Sequence, residues 1–94
     1  MESKNYSWAW VTAARLLTEL ECELIYAHLV VSADGGYATI RNGIDANADI
    51  VATLIGSAAH NPALNPPVPI YCRRGLYVGG FSNVTGILVV WRNL

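Results

Sequence analysis

The chain has 94 residues, enough for one domain with its own core, yet only 14% of them are Asp, Glu, Lys or Arg while 53% are hydrophobic. All seven acids lie at or before Asp49 and only Arg73, Arg74 and Arg92 carry charge beyond it, so there is no basic stripe for a phosphate backbone and direct nucleic-acid binding is not expected. Average soluble domains are about 25% charged, so this surface is expected to be partly buried against something else.

The opening "MESKNYSWAW" has an acid at position 2 and no charged-then-apolar signal organisation. The longest uncharged run, 50–72, contains all four prolines and cannot be a continuous apolar helix of about 20 residues. No membrane association is expected, and the chain is expected to stay in the cytosol of the cell that makes it. Trp8, Trp10 and Thr12 alternate with Ala9, Val11 and Ala13, which predicts a strand. Trp10, Ala14, Leu17, Glu21 and Leu24 are three or four apart, so a helix over about 8–21 competes with it. Residues 1–20 are read as an N-terminal arm or first strand, and 21–94 as the domain.

"ELIYAHLVVS" (23–32) is β-branched and aromatic without a breaker, and is read as a central strand buried on both faces. In 37–41, Ala38 and Ile40 face one way and Tyr37, Thr39 and Arg41 the other, as in a half-buried strand. Asn42-Gly43 is expected to supply the positive φ angles of a tight hairpin turn. "DIVATLIG" resumes as the next strand, with Val51, Thr53 and Ile55 alternating with Ala52 and Leu54. "NPALNPPVP" reads as a long connection without regular pairing and a candidate crossover, because proline has no N–H and constrains its predecessor. "GLYVGGF" and "VTGILVVW" are two strands around Ser82-Asn83, the second beginning or bulging near Gly86. Short strands with turn signals about 8–12 residues apart predict an all-β fold, a sandwich or barrel.

Between the two middle strands, Asp45, Asn47 and Asp49 are spaced like the start of a calcium loop. Such a loop needs glycine at its sixth position and glutamate at its twelfth, where this chain has Ile50 and Gly56. The stretch reads instead as Asx-type turn chemistry. Cys22, His28, His60 and Cys72 lack the short paired spacing of a zinc site. Cys22 and Cys72 are either a disulfide or two small buried hydrophobes, and spacing alone leaves both open. There is no Gly-x-Ser-x-Gly elbow and no phosphate-binding glycine loop. Asn83-Val84-Thr85 matches a glycosylation sequon, a pattern too short to carry weight alone. No catalytic, cofactor-binding or metal-binding residue is assigned, and the chain is not expected to be an enzyme.

The succession "YATIRNGIDANADIVATL", "NPPVPIYCRRGLYV" and a closing apolar strand resembles small accessory structural proteins of tailed bacteriophages. In these an Asp-Gly or Asn-Gly turn ends one strand, a polar loop leads to an "IVATL"-type strand, a Pro-rich link follows and "GLYV" starts a terminal hairpin. The resemblance covers roughly residues 20–92. It implies a single jelly-roll-like β-sandwich of antiparallel strands that oligomerises, a trimer by analogy, and decorates, cements or builds fibres on a virion. Its implied partners are copies of itself and capsid or other virion proteins, with no cofactor.

Low charge is consistent with this, since an assembly protein buries surface against neighbours. Tyr6, Trp8 and Trp10 are the candidate interface anchors, against the competing reading that the tryptophans point into the core. Arg73 and Arg74 are the candidate partners for acids on a neighbouring subunit. Two other functions compete: a carbohydrate-binding module whose Tyr and Trp rings stack on sugars, and a small hydrolase or metal enzyme using Cys72 and a histidine.

Overall fold

The computed structural model describes residues 6–94, and among these there are nine strands and no helix. They are β1 (Tyr6–Val11), β2 (Arg15–Thr18), β3 (Cys22–Val31), β4 (Tyr37–Asn42), β5 (Asp49–Ile55), β6 (Ala63–Leu64), β7 (Ile70–Cys72), β8 (Leu76–Ser82) and β9 (Val84–Asn93). One sheet runs β1-β9-β3, with β6 and β7 sharing the far edge of β3; the other runs β2-β8-β4-β5. All pairings are antiparallel. The chain repeatedly crosses from one sheet to the other. With β6 and β7 counted as one interrupted edge strand, this is the eight-stranded, double-sheet arrangement of a jelly roll. The shortest dimension, 20 Å, suits two sheets packed about 10 Å apart.

Two-residue alternation decides what is buried. On β4, Ala38 and Ile40 are wholly buried while Tyr37 is exposed. On β9, Ile87, Val89 and Trp91 point inward and Leu88, Val90 and Arg92 outward. Leu24, Leu29, Ile40, Leu76 and Ile87 are fully enclosed, each stabilising the fold by about 1.5–3 kcal/mol relative to an exposed side chain.

β3 is central, but it is not buried on both faces. Cys22, Leu24, Ala27 and Leu29 face the core, while Glu23, Tyr26, His28 and Val30 lie half-covered on the outside. A register shift between Leu24 and Tyr26 inserts Ile25 and changes the phase of alternation, as a bulge does.

The N-terminal stretch is extended. Ala9 and Val11 enter the core, β1 pairs with β9 and β2 with β8, so the helical alternative over 8–21 does not hold. Residues 1–5 lie outside the described residues.

Three turns differ from expectation. Asn42-Gly43 does not make a two-residue hairpin turn, because β4 and β5 are joined by the longer segment 43–48 and neither residue has positive φ. Gly43 is required for closeness instead: a Cβ there would lie 2.3 Å from the Cβ of Ala48. Ser82-Asn83 is not a hairpin turn either, since β8 and β9 belong to different sheets. Asn83, with φ of 53°, is the corner between them, a left-handed conformation that Asn tolerates better than most residues. The Pro-rich link is not an unpaired crossover: the chain passes between the sheets from Ile55 to Ala63, so only the start of the link takes part, and the link then pairs briefly with β3 through β6, followed by β7 on the same edge. Prolines keep their acceptors, and Leu29 N donates to Pro62 O at 2.9 Å.

Candidate docking face

Residues paired across antiparallel strands share a face, so the register of the first sheet arranges its outer surface in rows. One row is Tyr6, Arg92, Glu23 and Tyr71; the next is Trp8, Val90 and Tyr26; the third is Trp10, Leu88 and His28. Tyr6, Trp8 and Trp10 therefore form one line along β1, and Trp8 is 71% exposed.

The centre of this face is apolar and its rim is polar. Val90 and Leu88, half-covered, lie beside the tryptophans. Along the rim Arg92 Nη2 donates to Glu23 Oε1, and the Arg92 guanidinium lies 6.0 Å from the centre of the Tyr6 ring, within cation–π range. Tyr71 donates its hydroxyl proton to Glu21 Oε2, which raises the Tyr71 pKa. Tyr26 Oη and His28 Nδ1 are 3.2 Å apart.

Among the described residues, no strand lies beside the outer edge of β1. Edge strands are ordinarily blunted by lysine, proline or bulges, but "YSWAWV" contains none of the charged or proline residues that do this. β5, one of the two edges of the other sheet, exposes Ile50 and Ile55 with only Asp49 as a charge.

Arg73 and Arg74 lie apart from the Tyr6, Trp8 and Trp10 line, although Arg73 is near enough to Tyr71 for its charge to act on the hydroxyl. They are exposed in the turn between β7 and β8, separated from β1 by β9 and β3. The Arg74 backbone N donates to Asn42 Oδ1 at 2.9 Å, and Arg74 borders an open depression of about 330 Å³ with Asp45 and Asn47.

In that depression Asn47 N donates to Asp45 Oδ1 at 2.9 Å and Ala48 N to Asp45 O at 3.2 Å. Arg41 Nη1 donates to Ala48 O at 2.7 Å. The stretch is an Asx turn braced by an arginine, in line with its sequence chemistry. Among the described residues no three His, Cys, Asp or Glu side chains converge. Cys22 and Cys72 lie in the core, His28 is on the opposite face of β3, and His60 is exposed in the loop after β5.

Arg92, Glu23, Tyr26, Leu88 and Val90 belong to the face and were not singled out from sequence. Alternation in "VTGILVVWRN" already puts Leu88, Val90 and Arg92 together on one side. What it lacks is the information that β9 lies between β1 and β3. Comparison of the chain with known protein families, with curated proteins and with solved structures finds no match.

Proposed function

We propose that this chain is a non-enzymatic virion structural protein that oligomerises and attaches to a phage particle through the outer face of its first sheet. The observation that carries the assembly reading is Trp8: it stands 71% exposed beside the apolar Val90, on an edge strand, Tyr6–Val11, that holds no charged residue or proline. Protein interfaces favour this arrangement of Trp, Tyr and Arg around an uncharged centre, with charged pairs at the rim. A standard interface takes about 800 Å² from each partner, a modest share of the 5272 Å² surface. The virion destination rests on the sequence resemblance and on fold-level analogy, since jelly rolls build viral capsid and lectin domains alike.

The lectin half of that analogy gives the second reading, a carbohydrate-binding module. The row of Tyr6, Trp8 and Trp10 with Glu23, Arg92 and His28 nearby favours it. Against it, Trp8 and Trp10 have Val90 and Leu88 opposite them, which offer a sugar's hydroxyls no hydrogen bonds. A glycan array separates the two: assembly predicts silence there together with a fixed oligomer in solution. Glycan binding by a monomer, lost in Trp8→Ser, would overturn assembly in favour of sugar recognition.

A further inference from the structure

The chain has two cysteines, and both fall on one cross-strand pair: Cys22 of β3 stands directly opposite Cys72 of β7. Both side chains are wholly buried on the inner face. Directly opposed residues in antiparallel strands have Cα atoms about 4.5 or 5.5 Å apart, depending on the type of pair. Either value falls within the roughly 4.4–6.8 Å that a disulfide spans.

The thiols also act on one another. Hydrogen bonding with Cys72, then burial, push the Cys22 thiol well above its ordinary range, and the same contact draws Cys72 down against its own burial. Cys72 Sγ additionally donates to Ile70 O at 3.7 Å. Cys72 lies on the edge strand β7 and Cys22 on the inner strand β3, so Cys72 is the better placed to meet an oxidant and attack first.

We infer that Cys22 and Cys72 form a disulfide site that is closed by exchange with a small-molecule disulfide such as oxidised glutathione. The Cys72 thiolate attacks one sulfur of the oxidant and expels one thiolate, leaving a mixed disulfide on Cys72. Cys22 loses its proton, attacks the Cys72 sulfur and expels the second thiolate. The oxidant's S–S bond is broken, one S–S bond forms in the protein, and two electrons and two protons end on the two released thiols.

Neither sulfur is exposed, so the oxidant enters only when β7 lifts from β3. β7 is a three-residue strand at the sheet edge, preceded by Pro66, Pro67 and Pro69. Such a segment, held by few hydrogen bonds, opens well below the cost of global unfolding. Once closed, the bond ties the Pro-rich crossover to the central strand and encloses roughly 50 residues, including β4 and β5.

The test is to incubate the folded chain with oxidised glutathione, with and without mild urea, and follow its mass, free thiols and Tm. The expected product is a chain about 2 Da lighter, not cross-linked to another, with no free thiol. Its Tm is expected to rise by on the order of 10 °C, reversed by dithiothreitol and absent in Cys22→Ala. Should Cys22→Ala not fold, mass and thiol count on the unaltered chain decide the matter. Two thiols that stay free in mild urea, cross-links between chains only, or an internal bond that lowers Tm would each overturn the inference.

Discussion

The indole of Trp10 lies against Gly86: a Cβ on residue 86 would sit 2.3 Å from Cζ2 and 2.5 Å from Cε2 of the ring. Trp10 pairs with Leu88 and Gly86 with Val30, so the ring reaches diagonally across β9 to cover the gap that glycine leaves, an aromatic rescue. This separates two tryptophans on the same face of the same strand. Trp10 is 44% exposed and partly belongs to the fold; Trp8, at 71%, is mostly exposed.

Gly86→Ala should therefore force the Trp10 ring off the sheet. Overpacking of this kind costs about 1–3 kcal/mol, to be read from the urea midpoint, with tryptophan emission shifting to the red. Trp10→Ala should make the same Gly86→Ala change much cheaper. Independent, additive losses in the double variant would show that the contact is not what constrains residue 86.

The Asx turn gives a sharper pair of variants. Asp45→Asn keeps the oxygen that accepts from Asn47 N and should leave stability nearly unchanged. Asp45→Ala removes it and should cost about 0.5–1.5 kcal/mol, the usual net contribution of one hydrogen bond. Millimolar calcium should move the Tm of neither variant, nor that of the parent chain.

Neighbouring residues on β9 should behave differently. Ile87 is wholly buried, and Ile87→Ala is expected to lose about 2–5 kcal/mol through the lost burial and the cavity left behind. Leu88, on the outer face, should lose well under half as much in the isolated chain, while weakening self-association. Denaturant titration and sedimentation of the two variants check the contrast.

Much of this architecture can be read in residues 37–41, where the structure buries Ala38 and Ile40 and not Tyr37 or Arg41; Thr39, expected on the outer side with the latter two, is buried as well, its hydroxyl 3.4 Å from that of Thr53. β3 was less transparent for a physical reason. The bulge at Ile25 interrupts the two-residue period, and Tyr26, His28 and Val30 are apolar enough to resemble core while facing outward. The docking face was legible only along β1. Its width depends on β9 lying beside β1 and on β3 lying beside β9, pairings that join opposite ends of the chain and leave no trace in local patterning. Arg73 and Arg74, the candidate partners for a neighbouring subunit's acids, are exposed in the turn after β7, apart from the aromatic line of β1.

The central claim, that the face around Trp8 mediates self-assembly, is tested most directly by light scattering on the parent chain and on Trp8→Ser across a wide concentration range. Because Trp8 is 71% exposed, Trp8→Ser should remain folded, so that a lost oligomer is not a lost fold. The account predicts a fixed oligomer for the parent and a monomer for Trp8→Ser. A parent chain that is monomeric throughout, or a Trp8→Ser variant with an undiminished oligomer, would contradict it.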